Sequence, residues 1–202
     1  MNNYDPRLNL LQRLQHLRYA KLERELKPLC SWVDFYDYIW SYGSINWKNK
    51  VVLDIGAEIG SSALFFLMNG AKKVYLIENN KEYNKTYEQL KLKYVDLSSG
   101  FMYSVAAGLK LDLLSNTEML ASLADMPSGI DVLKMDCEGC ELSLLTEELI
   151  SKASEFVVGL HKPQLDDYQF EQKKRLLEKH GGKYFGRVGN IHEGEYVWIK
   201  RE

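Results

Sequence analysis

From Lys50 onward the chain repeats one pattern: a short apolar run, then a stretch of helical length. "KVVLDIG", "KKVYLIE", "IDVLKMD" and "EFVVGLH" are the firmest of the runs. They are near-continuously apolar and lack strict alternation, which suits strands buried on both faces. "IGSSALFFLMNG" stops at Asn69-Gly70, and "QFEQKKRLLEKHGG" stops at two glycines, as helices do. "NKEYNKTYEQLKLKY", "NTEMLASLAD" and "ELSLLTEELIS" supply further helices, and "FMYSVAAG" reads as a third strand. The tail "KYFGRVGNIHEGEYVWIK" reads as two strands around a Gly/Asn connection. Strands separated by helices of this length form βαβ units, whose parallel sheet is covered on both faces. The expected class is therefore α/β, doubly wound and mostly parallel, closed by a terminal antiparallel hairpin.

Residues 1–48 are of another kind. Leu8, Leu11, Leu14, Leu17, Leu22 and Leu26 recur at mostly helical spacing among charges, before the aromatic stretch "SWVDFYDYIWSYG". This predicts an N-terminal helical extension that completes the core or caps a pocket, followed by one domain over 49–202. A chain of 202 residues is long enough for one well-buried domain. The formal net charge of −2 gives no overall bias toward nucleic acid or an anionic membrane. Three cysteines do not make a disulfide framework, so a reducing, cytoplasmic setting is expected. No stretch approaches the roughly 18 apolar residues of a span, and the opening residues lack a signal peptide's apolar core.

"VVLDIGAEIGSS" sets Asp54, Gly56, Ala57, Glu58 and Gly60 at the junction of the first strand and first helix. Open α/β sheets bind ligands at such carboxyl edges, where the next helix offers free N–H groups. Glu78 ends the second strand about 20 residues on, where an acid can hold ribose hydroxyls. Ala57-Glu58 stands where a dinucleotide loop needs its second glycine, and Glu58 would repel a pyrophosphate. No G-x-x-x-x-G-K-[ST] phosphate loop occurs. S-adenosylmethionine has a ribose and adenine without phosphate, and its sulfonium and amino group attract acids. Asn79 would assist Glu78, and Ser104 and Val105, near the end of the third strand, would face the adenine.

These residues resemble S-adenosylmethionine-dependent methyltransferases of the seven-stranded, Rossmann-like class, from about Lys50 to the end. "VVLDIGAEIGSSALFF" looks like the cofactor motif, and "VYLIE" like the second motif with its ribose-binding acid. "IDVLKMDCEGCE" resembles the Lys-x-Asp-x-Glu-Gly-x-Glu signature of the FkbM-type family, and "GLH" ends the fifth strand where that family tends to carry histidine. Glu58 departs from the Asn usual in the family's loop. The resemblance implies O-methylation of a sugar, glycan or other small hydroxylated acceptor. An RNA or protein methyltransferase of the same fold, or a non-catalytic cofactor- or partner-binding protein, are the alternatives. The segment from Arg7 to Lys27, with more bases than acids, is what keeps an RNA partner in view.

Methyl transfer to oxygen needs alignment and a base. Asp136 ends the fourth strand, Glu138 follows it, and His161 ends the fifth. Either His161 or Asp136 would take the hydroxyl proton while Glu138 orients the acceptor. The same three could bind a divalent cation, though they suit Mg²⁺ or Mn²⁺ only in part, and the metal-free reading is preferred. Cys137 and Cys140 have only Cys30 as a further cysteine, too few for a structural zinc site, and are read as small packing residues.

Overall fold

The structure is a computed structural model that describes residues 17, 19, 20, 22–24, 26–28, 35–78, 83, 109–113, 129–162, 164–188 and 195–201. It comprises two compact units, Met1–Asn46 and Trp47–Glu202.

In the first unit, the described residues between 17 and 26 are helical, and a second helix runs Phe35–Tyr42. Tyr19, Leu22 and Leu26 are buried while Leu17 is 70% exposed, so the heptad-like leucines do not all face inward. Tyr19 stacks on Phe35 with ring centroids 5.1 Å apart, and Phe35 meets Tyr38 edge-on at 5.3 Å. The Glu23 carboxylate accepts the Phe35 N–H at 3.3 Å and pairs with Lys27 at 2.6 Å. Leu8, Leu11 and Leu14 lie outside the described residues.

The second unit is built on strands β1 (Val51–Ile55), β2 (Lys73–Glu78), β3 (Leu109–Leu113), β4 (Ile130–Met135), β5 (Ala153–His161), β6 (Lys183–Val188) and β7 (Glu195–Lys200). They form one sheet in the order β3-β2-β1-β4-β5-β7-β6. The pairs among β1 to β5 are parallel, and β7 runs antiparallel to both β5 and β6. The α/β, mostly parallel class expected from the apolar runs is what the chain adopts.

Both faces of the central strands are buried. Leu53, Ile55, Leu133, Met135, Phe156, Val158 and Leu160 share one core with Leu144, Leu149, Ile150, Phe170 and Leu177 from the helices after β4 and β5. Side chains of the opposite parity, such as Val52, Val132 and Val157, are equally buried. The helix Ser61–Met68 is buried from Ser61 to Leu67, and Phe66 stacks on Trp47 at 4.2 Å. Such all-round burial explains why its sequence shows so little polar stripe.

The strand expected over "FMYSVAAG" lies outside the described residues, among which the strand after β2 is Leu109–Leu113. "LKLDL" alternates apolar and charged residues, a pattern suited to the sheet-edge place that β3 takes. Two local expectations need correction. "ELSLLTEELIS" is not one helix but two, Glu141–Leu144 and Glu147–Ile150. Thr146 is extended and its hydroxyl accepts the Leu149 N–H at 3.2 Å, so capping the second helix ends the first. Lastly, Cys137 and Cys140 are joined in a disulfide, with Cα atoms 5.5 Å apart. The turn between them places Glu138 (φ 50°) and Gly139 (φ 111°) in left-handed conformations, folding the two cysteines toward each other. They are a cross-link at the mouth of β4, not incidental packing.

The remaining helix, Asp167–Lys179, starts in a capping box: Gln169 N–H donates to Asp166 at 2.8 Å, and the Gln169 side chain accepts the Asp166 N–H at 3.0 Å. The predicted helices over 80–94 and 116–125 fall outside the described residues, apart from helical Tyr83.

Candidate functional site

The sheet reverses its build direction between β1 and β4, the place where open α/β sheets form a ligand crevice. Two loops meet there. Asp136 N–H donates to Ile55 O at 3.1 Å, and Gly56 N–H donates to Ile77 O at 3.0 Å. Gly56 has φ 77°, and a Cβ on it would collide with the Asp136 carbonyl oxygen. Its lack of a side chain therefore serves loop-on-loop packing first, a use the sequence alone did not suggest. Glu58 (φ 48°) and Gly60 (φ 86°) are also left-handed, and Gly60 opens the 61–68 helix without a side-chain cap. Ala57 is buried beneath this turn. Glu78, buried at the end of β2, accepts the Glu58 N–H at 2.9 Å. Asn79, Ser104 and Val105 lie outside the described residues.

Asp54 does not face the crevice as a free acid. It is in register with Lys134 on β4, and their side chains pair at 2.9 Å with 0% and 3% exposure. Ser62 Oγ donates to the other Asp54 oxygen at 2.6 Å, and Lys134 Nζ also donates to Gly56 O at 2.7 Å. Burial opposes the Lys134 ammonium, but the charges of Asp54 and Asp136 outweigh it and hold the pKa above its ordinary value. The lysine inside "DVLKMD" thus ties β4 to the β1 loop.

Beyond it, Asp136, His161 and Glu195 converge. One ligand atom from each lies within 4.8 Å of the others. His161 Nδ1 meets Glu141 Oε1 at 2.5 Å, and Nε2 lies 3.4 Å from Asp136 Oδ1. Glu141 is fully buried, and its second oxygen accepts the Gly139 N–H at 2.7 Å. Burial disfavours the imidazolium, yet hydrogen bonds to Asp136 and Glu141 and their charges overcome it, raising the pKa to about 10. Glu195 sits opposite His161 in the β5–β7 ladder. Burial, then the charge of Asp136, raises its carboxyl to about 8, against the pull of His161 and Lys134.

Of the residues proposed for chemistry, Asp136 and His161 come together, while Glu138 is exposed on the disulfide-closed turn and outside the converging group. Glu141 and Glu195 had been assigned no role. The last glutamate of the "DCEGCE" signature was a cue to Glu141. The cue to Glu195 was Gly159, an isolated glycine in a buried strand, which marks a close approach.

No protein-family model matches the chain. Among solved structures, the ribosomal protein L11 methylase of Lactobacillus delbrueckii subsp. bulgaricus superposes with a TM-score of 0.54 at 16% identity, covering 83% of this chain and 78% of that one. Magnesium protoporphyrin IX methyltransferase of Synechocystis PCC 6803 gives 0.55 at 14% identity over 98% and 87%. TrmK of M. capricolum gives 0.55 at 11% over 83% and 67%. At these identities the likeness establishes the methyltransferase fold. By sequence, the chain is 32% identical over 125 residues to Uncharacterized protein 65 of Sulfolobus islandicus filamentous virus (isolate Iceland/Hveragerdi), covering 62% of this chain and 68% of the relative. It is 30% identical over 132 residues to Uncharacterized protein 158B of Sulfolobus islandicus rod-shaped virus 1, covering 65% and 72%. Carrying a methyltransferase fold, the chain belongs to the family that contains these two viral proteins.

Proposed function

We propose that this protein is an S-adenosylmethionine-dependent methyltransferase of the FkbM type, acting on a hydroxyl of a sugar, glycan or other small acceptor. The observation that carries the reading is the meeting of two half-sites at the β1/β4 crevice. One is the left-handed 56–60 loop with Glu78 beside it; the other is the Asp136–His161–Glu141 chain of contacts. Two of the similar structures were solved with S-adenosylmethionine or S-adenosylhomocysteine bound, which favours the same cofactor class here. The donor set fits. The Glu78 carboxylate suits ribose hydroxyls, the 56–60 loop and the start of the 61–68 helix offer backbone N–H groups, and the acids suit a cationic ligand. Residues 49–202 would form the catalytic domain and 1–48 a cap.

The cofactor supplies an electrophilic methyl group on a sulfonium. Asp136 would receive the proton of the acceptor hydroxyl as that oxygen is methylated. His161, held as imidazolium, is the poorer proton acceptor and instead fixes Asp136. Glu141 sets the ring. Glu138, exposed on the turn, touches the acceptor at the rim.

Calorimetry with S-adenosylhomocysteine tests the first half. Binding by the intact chain, weakened at least tenfold in Glu78→Ala, is expected; no binding by the intact chain sinks the reading. Transfer of labelled methyl to glycans but not to RNA tests the second half. Transfer to RNA instead, with binding that falls steeply as salt rises, would favour the basic Arg7–Lys27 segment as an RNA contact.

A further inference from the structure

We infer that Asp136, His161 and Glu195 form a binding site for one divalent first-row cation of the Mn²⁺ type, with Glu141 as the group that aims the imidazole. The inference deepens the proposed methyl transfer, and only its use in catalysis rests on that reading.

Four observations carry it. First, the three side chains come from the ends of β4 and β5 and the start of β7, yet each brings a donor atom into one 4.8 Å cluster. Second, the imidazole is oriented as ligating histidines are. Nδ1 is engaged by a buried carboxylate, itself held by the Gly139 N–H, which leaves Nε2 directed at the cluster. Third, the 3.4 Å from Nε2 to Asp136 Oδ1 is long for a charge-assisted hydrogen bond. It is close to the roughly 3 Å that separates neighbouring donors around an ion with bonds of about 2.1 Å. Fourth, the half-buried Glu195 carboxylate lies over Gly159, and no hydrogen bond reaches it among the described residues. A carboxylate with reduced access to water and no donor is stabilised by a nearby cation.

Charge balance points the same way. Among the described residues, Asp54, Asp136, Glu141 and Glu195 gather near Lys134 and His161, with Lys173 also acting on Glu141, and Lys134 is already engaged by Asp54. Two carboxylates and one imidazole form a mixed oxygen–nitrogen set, which suits Mn²⁺ or a similar ion better than Ca²⁺. With the ion bound, His161 Nε2 would have released its proton to solvent, and Asp136 would serve as ligand in place of free base. The three protein donors leave coordination positions open to the oxygen of a hydroxylated acceptor, whose proton the ion would acidify. Glu195 takes the place that the sequence reading had given to Glu138.

The test is Mn²⁺ titration of the full chain, read by loss of the free-ion electron paramagnetic resonance signal. One ion per chain is expected. Affinity should fall at least tenfold in Glu195→Gln and in Asp136→Asn, and 10- to 100-fold in Glu141→Gln, while Glu138→Gln leaves it unchanged. Circular dichroism melts identify any variant that fails to fold; Asp136→Asn and Glu195→Gln report independently. No binding by the intact chain, or equal binding by both of these variants when folded, overturns the proposal. S-adenosylhomocysteine calorimetry on the same samples separates the two readings. Mn²⁺ binding without cofactor binding leaves the cation site standing and removes the methyltransferase. The opposite outcome does the reverse.

Discussion

The carboxylate of Glu195 on β7 lies over Gly159 on β5, in the volume that any side chain on Gly159 would fill. The two are diagonal neighbours: Glu195 pairs with His161, and Gly159 pairs with Val197. Gly159→Ala should therefore push the carboxylate aside and cost about 1–3 kcal/mol by overpacking. Glu195→Ala vacates the same volume, so the double variant should recover most of that loss. Urea unfolding of the four proteins in a double-mutant cycle reads this directly. Strictly additive losses would mean that the two residues do not share the space.

Lys134 and Asp54 depend on each other. Lys134→Met leaves the buried Asp54 carboxylate with Ser62 as its partner among the described residues and should cost about 3–5 kcal/mol. Lys134→Met combined with Asp54→Leu should be less destabilised than Lys134→Met by itself. The Lys134 pKa is raised, so its contribution is complete below the unfolded value and is lost only as pH rises through the higher folded one. Denaturant midpoints should accordingly show the full deficit of Lys134→Met at pH 7, with the deficit shrinking only on the strongly alkaline side.

Glu147 governs acid behaviour on the surface. Its Oε1 lies 2.8 Å from both Lys179 Nζ and His180 Nε2, and these hydrogen bonds lower its carboxyl pKa below the ordinary value. A depressed carboxyl stabilises above its unfolded pKa, and the effect is lost as pH falls through the folded value. Glu147→Gln should therefore lower the thermal midpoint slightly at pH 7, and that difference should shrink as acid titrates the carboxylate through its lowered folded value.

The Cys137–Cys140 bridge makes a counting prediction. Of three cysteines, one should react with a thiol reagent after denaturation without reductant, and all three after reduction. Closing so short a loop contributes about 2 kcal/mol on chain-entropy grounds, so Cys137→Ala with Cys140→Ala should lose about that much in urea. Three reactive thiols before reduction would remove the bridge from the protein in solution.

The parallel core was readable because strands buried on both faces must be apolar nearly throughout, as "VVLDI" and "FVVGL" are. The Gly56–Gly60 turn and Glu78 were readable because left-handed backbone and a strand-ending acid leave local marks. Glu195 left none of its own. It lies 34 residues beyond His161, and only strand pairing brings the two opposite each other. The bridge escaped because the cysteine count argues from redox setting, whereas its formation depends on a left-handed turn at Glu138 and Gly139. The break at Leu145 and Thr146 was hidden because capping competes with an apolar pattern that runs straight through it.

β7 enters the sheet between β5 and β6, although it is last in sequence. Asp136 and His161 can be in place before it, but Glu195 arrives only when that final strand is inserted. Assembly of the cluster thus reports completion of the sheet. A chain stalled or clipped ahead of residue 195 would keep its parallel half and lose the third donor, and β5 would be left as an open edge seeking another strand.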